Sequence, residues 1–561
     1  MDPCIQNAPW AQDQANPKVA CVCSTTVCHI AHLNLGQNVI NGTIPAEIRQ
    51  LTKMQYLSLG INNFTGRVPP ELGSLTNLKS LSFGSNNFNG PLPPQLGNLT
   101  SLQQLYIDSS GVNGPIPQEL SNLKSLEILW ASDNRFTGKL PEFFAHFMNF
   151  QVLRLEGTLL EGPIPSNYGA LVKLHDLRLG NLRNEDSSLD FVENLTSLSI
   201  LSLRNCRIAG QLPEKLSSFG NLEILDLSFN KLTGQIPNSY QDFASLRFLY
   251  LGSNNLSGEL PPNIMSSSLT ALDVSFNSLS GDLRPKRSGL SIKASTLSCL
   301  QGNTKCVDIG SSSSFSMNSG GTEIESADGT KYDIDSETLS AASFYMNPNN
   351  QWAVSSSGIY ISNPHGQNYI AQTGSQITST LDSELYKTAR ISPNSLRYYG
   401  FGLSNGRYDV QLHFAEIQMD DSHSWKGLGR RVFDVYVQGA KVLEDFNIQK
   451  EAGGSRRAIV KTIEANVTNR VMEIHFLWAG KGTCCIPFQS TYGPLVSAIH
   501  VIQVAKSAHP SKTKKKHVGI IFGIVAGSAA GILIVSSIFY GWWENKKAPS
   551  HMKIATDSPT K

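Results

Sequence analysis

The sequence predicts three consecutive parts: a solenoid of leucine-bearing repeats, an all-β domain and a single membrane-spanning helix. A leucine pattern returns every 24 residues through the first half of the chain, which is typical of stacked repeats. The period ends near Ser313, where runs of alternating apolar and polar residues begin. A charge-free apolar segment of 23 residues, Val518 to Tyr540, lies near the C-terminus of the 561-residue chain.

The repeat motif reads Leu-x-Leu-x-x-Asn-x-Leu-x-Gly-x-Ile-Pro and opens at Leu33 as LNLGQNVINGTIP. Its first leucine returns ten times, after nine intervals of 24 residues and a last one of 23: Leu57, Leu81, Leu105, Leu129, Leu153, Leu177, Leu201, Leu225, Leu249 and Leu272. Alternating leucines place two side chains on one face of a short strand, and glycine and proline then end it. Residues 33–285 are predicted to form a leucine-rich-repeat solenoid of about 11 repeats, with short strands, irregular segments and short 3-10 turns.

The residues beside the buried leucines line the concave face of such a solenoid, where a ligand can bind. In the middle repeats these positions are aromatic or charged: Tyr106, Asp108, Trp130, Arg154, Glu156, Arg178 and Arg204. Tyrosine, tryptophan and arginine are enriched in binding hot spots. We expect this set to bind an extracellular ligand. The alternative is an ordinary solvated face with scattered large residues.

Most of the nine cysteines lie at the edges of the predicted domains. The disulfide candidates are Cys4, Cys21, Cys23, Cys28, Cys299 and Cys306. The first four fall in a cap at residues 1–32 and the last two in a cap and linker at 286–312, where disulfides would close the ends of the repeat core. Metal-ligand spacing is lacking, so no metal and no cofactor is predicted. Adjacent Cys484 and Cys485 are expected not to pair with each other.

N-glycosylation sequons occur only before the apolar segment: Asn41, Asn63, Asn98, Asn194, Asn255 and Asn466. Their placement predicts that the long N-terminal part is extracellular and the protein lies in the plasma membrane. Met1 is followed directly by Asp2 and Pro3, without the charged and apolar regions of a signal peptide. The chain is therefore either a truncated gene model or fragment, which we favour, or a protein inserted by its C-terminal segment.

Residues 313–505 are predicted to be an antiparallel β sandwich. Runs such as RYDVQLHFAEI, RVFDVYVQG and LVSAIHVIQV alternate in polarity and are separated by glycine, asparagine and charged turns, which is the pattern of half-buried strands.

These residues also carry a family resemblance. The segment YKTARISPNSLRYYGFGLSNGRYDVQLHFAEI, with the later GKGTCCIP and YGPLVSAIHV, resembles the malectin-like domain of plant receptor-like kinases. Together with the repeats, it resembles the ectodomain of leucine-rich-repeat receptor-like serine/threonine kinases that carry a malectin domain. The resemblance implies carbohydrate binding through loop aromatics. Tyr398 and Tyr399 are the candidates, although buried tyrosines are commoner than sugar-stacking ones.

The apolar segment at 518–540 is long enough to cross a bilayer as one helix. A basic linker at 506–517 precedes it, and a tail at 541–561 is expected to be cytoplasmic. Glycines recur at every fourth residue: Gly519, Gly523, Gly527 and Gly531. This spacing lets two helices approach closely and predicts self-association, although glycine is also simply frequent in membrane helices.

Neither the tail nor the rest of the chain shows the glycine-rich loop, catalytic loop or metal site of a kinase, so no enzyme activity is predicted. The net charge of +2 gives no reason to expect a nucleic-acid partner. We expect a single-pass receptor-like protein that recognises an extracellular peptide or cell-wall glycan and signals through a co-receptor kinase. The alternatives are a fragment of a receptor serine/threonine kinase and a cell-wall tether without signalling.

Overall fold

The computed structural model describes residue 4 and residues 16–265, 268–280, 311–360, 368–489 and 491–504. The predicted C-terminal cap cysteines Cys299 and Cys306 lie outside these residues, as do the basic linker, the apolar segment with its glycines, and the tail. Over the ranges just given, no helix is both long and apolar enough to cross a membrane.

The predicted solenoid is confirmed, and one continuous sheet of twelve described strands forms its concave face. The strands follow one another in chain order, and after the antiparallel first pair all neighbours are parallel. They are Lys18–Cys23, Cys28–Asn34, Tyr56–Ser58, Ser80–Ser82, Gln104–Tyr106, Ile128–Trp130, Val152–Leu155, Asp176–Gly180, Ile200–Arg204, Ile224–Asp226, Phe248–Tyr250 and Ala271–Asp273. Leucines pair with leucines in register, as Leu129 does with Leu153, because the 24-residue period repeats the same geometry.

Asparagine side chains connect successive repeats inside the solenoid. Asn86 donates to the carbonyl oxygens of Leu59 and Phe83 and accepts from the backbone N–H of Phe64. The same pattern occurs at Asn62, Asn134, Asn230, Asn254 and Asn277. These bonds satisfy buried backbone groups at the turn that leaves each strand.

The convex side of the solenoid carries short 3-10 helices, as predicted. They span Ala46–Gln50, Pro70–Ser74, Pro94–Asn98, Gln118–Asn122, Glu142–His146, Ser166–Ala170, Asp190–Asn194, Glu214–Ser218 and Asn238–Asp242. The motif proline precedes each of them except Asp190–Asn194, which follows Leu189. The proline ring fixes φ near the value seen at these caps. The repeat that begins at Leu177 has Leu189 at this position instead of the motif proline.

Short strands lie between the concave sheet and these helices. They form three small sheets: Asn41–Gly42, Asn63–Gly66 and Asn87–Phe88; Asn113–Pro115 and Arg135–Thr137; Ala209–Gly210, Lys231–Gly234, Asn255–Glu259 and Ser278–Ser280. Leucine, isoleucine and phenylalanine side chains from all repeats fill a single continuous core behind the concave sheet.

Disulfides close the N-terminal end of the solenoid, as predicted, with Cys4 bonded to Cys21 and Cys23 to Cys28. The expectation for Cys484 and Cys485 is wrong, because the structure bonds these adjacent residues to each other. Cys206 is a buried free thiol. It occupies an asparagine position of the repeat, where its backbone N–H donates to Asn230.

The second domain is a β sandwich, as predicted. Its outer sheet has the order Ile324–Glu325, Lys331–Asp335, Ser314–Ser319, Ala498–Gln503, Gly406–Phe414 and Ile459–Val467. Its inner sheet has the order Ala342–Met346, Trp352–Ser357, Ser395–Phe401, Val471–Leu477, Phe433–Val437 and Ala440–Phe446. Neighbouring strands are antiparallel except Ser314–Ser319 and Lys331–Asp335, so the prediction holds with one parallel pair.

Smaller elements complete the sandwich. A third sheet contains Ile370–Gln372, Thr388–Ile391 and Leu495–Val496. Short helices span Ser383–Tyr386, Trp425–Leu428 and Ile448–Ala452. Apolar side chains of the outer and inner sheets share one core, and a fully buried ion pair joins Arg390 to Asp335.

Candidate ligand-binding site

An aromatic and cationic stack lies on the open part of the concave face. The rings of Tyr106 and Trp130 meet edge to face with centroids 5.1 Å apart, and the Arg154 guanidinium lies 4.1 Å from the Trp130 ring centroid. All three side chains are half-buried. The Trp130 Nε1 is a buried donor without a hydrogen-bond partner, and such a group in a native site calls for an explanation.

A buried carboxylate fixes the arginines beside this stack. Asp176 accepts hydrogen bonds from Arg154 at 2.7 Å and from Arg178 at 2.7 and 2.8 Å. Burial alone would raise the pKa of Asp176, but the two guanidinium groups outweigh it and hold that pKa below its ordinary value. On the same face, Arg204 lies 3.6 Å from Glu156. The arginines are therefore largely neutralised and held in one geometry.

Asp108 differs from Asp176 because it lacks a close cationic partner. Burial raises the pKa of Asp108 to about 6, and the neighbouring Asp133 carboxylate adds to the rise while Arg154 opposes it. Burial thus makes the ionisation of Asp108 costly. An incoming hydrogen-bond donor would relieve that cost.

The rest of the concave face is covered by the sandwich, since residues Met1–Val504 form one compact unit. Side chains of the last repeats, Phe248 and Tyr250 among them, share an apolar cluster with Ala341 and Ile359 of the sandwich. Asn394 of the sandwich donates to the buried Asp226 carboxylate at 3.4 Å. The concave face therefore has an open N-terminal part and an occupied C-terminal part.

A second column of residues holds the sandwich at the edge of the concave sheet. In each repeat the residue just before the asparagine position has a positive φ; we call these residues the turn column. The non-glycine members are Gln37, Ile61, Ser85, Ser109, Asp133, Asn181, Asn205, Phe229, Ser253 and Phe276. Bulky residues seldom adopt this backbone conformation, and the glycine of the same column, Gly157, adopts it too.

The aromatic members of the turn column bind one arginine of the sandwich. The Arg397 guanidinium lies 3.8 Å from the Phe276 ring centroid and 5.7 Å from that of Phe229, and it is paired with Glu473 at 2.7 Å. The ring of His475 stacks on Phe229 at 5.6 Å. Sequence reasoning missed this column. The aromatic residues at Phe229 and Phe276, in a position otherwise small or polar in most repeats, were the available indication.

The structure divides the seven predicted concave-face residues. Tyr106, Trp130, Arg154 and Asp108 lie on the open part and are only partly buried. Glu156, Arg178 and Arg204 are buried, and the Arg204 guanidinium lies 5.2 Å from the ring of Trp478 in the sandwich. The four partly buried residues lie together on the open part of the face. The three buried residues lie next to them, on the part that the sandwich covers.

The two tyrosines expected to stack on sugars are interior residues. Tyr398 is fully buried, and its hydroxyl donates to Asp335 at 2.7 Å. Tyr399 is 1 % exposed and lies between Phe276 of the solenoid and Phe344 and Phe401 of the sandwich. Neither ring presents a face to solvent, because the strand Ser395–Phe401 is covered on both sides. We correct the expectation accordingly.

None of the six sequon asparagines lies in the twelve-stranded sheet. Asn41, Asn63 and Asn255 are in the short strands, Asn98 and Asn194 are in 3-10 helices, and Asn466 is in the outer sheet of the sandwich. All are exposed except Asn63, which is half-buried and accepts from Asn87. Glycans at these sites would leave the concave face free.

Comparisons with known proteins agree with this architecture. The family described as Malectin domain matches residues 313–499, and leucine-rich-repeat families match residues 77–99, 125–147 and 196–256. The chain carries leucine-rich repeats and a malectin domain. We use these names for the solenoid and the sandwich from here on. The predicted resemblance is confirmed.

Its relatives include two probable LRR receptor-like serine/threonine-protein kinases of Arabidopsis thaliana. One is 45% identical over 239 residues, which cover 41% of this chain and 23% of the relative. The other is 45% identical over 251 residues, covering 43% of this chain and 24% of the relative. The chain thus spans about a quarter of the length of the curated relatives it matches.

Among solved structures, the plant peptide hormone receptor RGFR1 in complex with RGF2 is 34% identical. The match covers 44% of this chain and 40% of that chain, with a TM-score of 0.42.

Proposed function

We propose that this chain is the extracellular part of a single-pass plasma-membrane receptor-like protein that binds an extended peptide and signals through a partner kinase. The observation that carries the proposal is the open stack of Tyr106, Trp130 and Arg154 beside the poorly paired Asp108. Aromatic residues and arginine dominate peptide and protein hot spots. The Asp108 carboxylate adds an acceptor for the N–H groups of a peptide backbone.

The dimensions of the open face suit an extended chain. In each strand of the repeats, one outward residue lies between the two leucines. Across the open face these residues run from Asn34 through Ser58 and Ser82 to Arg154. Five strand intervals of about 4.8 Å give roughly 24 Å, which matches about seven residues of extended peptide. The small serines leave room for ligand side chains, and the aromatic end supplies an anchor.

The relatives support the signalling part of the proposal. They are probable receptor-like serine/threonine kinases, and we therefore propose a co-receptor kinase as the partner of this chain. Membrane anchoring is proposed from the apolar segment and the glycine-bearing helix predicted above. The convex and lateral placement of the sequons supports an extracellular ectodomain whose concave face stays accessible.

A second candidate function has its own observation. Because the chain spans about a quarter of its kinase relatives, it is also proposed as a piece of a receptor serine/threonine kinase; a transcript with an in-frame kinase would favour this form. A cell-wall tether is the third possibility, and it predicts wall retention with no ligand-dependent kinase association.

The peptide proposal is tested on the full chain displayed at a cell surface. Peptides are selected from a random phage-displayed library. Their affinity is then measured for the unchanged chain and for the double variant that combines Trp130→Ala with Arg154→Ala. We expect at least about a tenfold loss, the effect of removing about 1.4 kcal/mol of hot-spot contact. The matched control is Arg135→Ala with Met148→Ala, which changes exposed residues outside the concave sheet.

Two outcomes would count against the peptide proposal. Unchanged affinity in the double variant of Trp130 and Arg154 would show that these residues do not bind the peptide. Failure to select any peptide, together with binding to glucans on a glycan array that Trp130→Ala abolishes, would move the ligand class to cell-wall carbohydrate.

A further inference from the structure

We propose that the malectin domain forms the second wall of the peptide site, and that Arg430 is the residue that positions this wall. The inference rests on the proposed function of the open concave face. It adds that the repeats alone do not complete the site.

Arg430 reaches the repeats that carry the open stack. Its guanidinium donates to the carbonyl oxygen of Ser109 at 3.1 Å and lies 3.7 Å from the Asp133 carboxylate. Ser109 directly follows Asp108, and Asp133 lies three residues after Trp130. The Arg430 side chain is still 40 % exposed, so a ligand on the open face can contact it.

A loop of the malectin domain continues this wall along the turn column. Ser109 Oγ donates to the Gly482 carbonyl at 3.2 Å, and Asn181 Nδ2 donates to the Ala479 carbonyl at 2.6 Å. Between these points the backbones of Gly157 and Gly480 touch so closely that a Cβ on Gly157 would lie 2.3 Å from the Gly480 oxygen. The absence of a side chain at Gly157 is thus required for the approach.

The wall is held rigidly from inside the malectin domain. The next residue, Arg431, is buried and bonds to Glu416 and to Gln418, each at 2.7 Å. The backbone N–H of Arg430 donates to the Thr483 hydroxyl at 2.9 Å. The backbone of Arg430 is therefore fixed within the malectin domain. The distance from its guanidinium to Asp133 then depends on how the two domains dock.

Apolar surface flanks Arg430 on the malectin side. Phe488 is 65 % exposed, and the Lys426 ammonium lies 5.3 Å from its ring. Gly429, next to Arg430, lies against the Ile486 carbonyl, so these two segments adjoin. The ligand class that fits is an extended peptide with an aromatic or aliphatic side chain at the end that meets the malectin domain.

A charge swap between Asp133 and Arg430 tests the shared site. The full chain is prepared with Arg430→Asp, with Asp133→Arg and with both, and the phage-selected peptides serve as the probe. Each single variant should weaken binding about tenfold, and the double variant should recover most of the loss because opposite charges again face each other. Hydrogen exchange of residues 478–485 should rise in the single variants and fall again in the double variant.

The matched control is Arg407→Asp, which breaks an exposed pair with Glu464 in the outer sheet and should leave binding unchanged. Arg430→Gln removes the charge but keeps a polar, unbranched side chain, and it repeats the binding test if the aspartate variant does not fold. The proposal is overturned if Arg430 variants increase loop exchange but bind peptide normally, or if the double variant is no better than the singles. Loss of binding in Trp130→Ala, with normal binding in Arg430→Asp, would overturn this inference alone. A library without binders would overturn both proposals.

Discussion

At the scale of single residues, two aspartates on the same face show how partners decide ionisation. Asp176 has Arg154 and Arg178 against it, and its pKa is lowered despite burial. Asp108 has no such contact, and burial raises its pKa to about 6. The difference follows from position, because Asp176 shares its strand with Arg178 and lies next to the strand that carries Arg154.

Replacing Asp108 tests this reading through pH. Between its unfolded pKa near 3.9 and its folded pKa of about 6, the folded chain binds more protons than the unfolded chain. The free energy of unfolding therefore falls as pH rises through this window. Asp108→Asn should remove that slope and increase the unfolding free energy at neutral pH by on the order of 1 kcal/mol.

Denaturant titrations at acidic and neutral pH measure the effect, with exposed Asp190→Asn as the control. An unchanged pH slope in Asp108→Asn would show that the carboxyl is not desolvated.

Sequence reasoning located Tyr106, Trp130 and Arg154 because the 24-residue period fixes which positions face outward. It could not locate the exposed part of that face, since burial of Arg178 and Arg204 depends on a domain far along the chain. Tyr398 and Tyr399 show the same limit. Successive residues of a strand point to opposite faces of the sheet. Here both faces are covered, one by the core of the sandwich and the other by the solenoid.

At the scale of elements, the asparagine positions stabilise each turn of the solenoid. Asn86 is 3 % exposed and joins two repeats through its amide. Asn86→Ala would leave the N–H of Phe64 and several carbonyls without a partner, and we expect a loss of about 2–3 kcal/mol in unfolding free energy. Exposed Asn89→Ala is the matched control and should change it by less than about 0.5 kcal/mol.

Thermal and denaturant unfolding measure this difference. Equal stability of the two variants would contradict a structural role for the asparagine positions. The repeats in which Ser110, Thr158 and Cys206 replace asparagine lie in the middle of the solenoid. The 24-residue period predicted which positions carry asparagine. Ser110 lacks the asparagine amide, and its hydroxyl instead donates to the side chain of Asn134.

At the scale of the whole molecule, the malectin domain is docked on the solenoid through both apolar and ionic contacts. Arg397 sits between Phe229 and Phe276 and donates to Ser253 at 3.0 Å. The interface also buries polar atoms that lack partners, the Tyr250 hydroxyl and the Asn394 Oδ1. Unsatisfied groups each cost about 1–3 kcal/mol, so docking depends strongly on the contacts that are satisfied.

Arg397→Ala should weaken docking because it removes the cation–π contacts with Phe229 and Phe276 and the hydrogen bond to Ser253. We expect faster hydrogen exchange in the inner-sheet strand Ser395–Phe401 and in the loop at 478–485, while the outer sheet is unchanged. Arg407→Ala, which alters an exposed pair on the outer sheet, is the control. Identical exchange in both variants would show that Arg397 does not hold the domains together.

The malectin domain covers one end of the concave face and leaves the other end open. Hydroxyl-radical footprinting of the full chain measures this directly. Tyr56 and Phe248 occupy the same outward position, just before the first leucine of their strands, and are 40 % and 5 % exposed, while Tyr250 is 2 % exposed. We predict rapid modification of Tyr56 and protection of Phe248 and Tyr250. Modification of Tyr250 as fast as that of Tyr56 would contradict the docked arrangement and the two-walled site built on it.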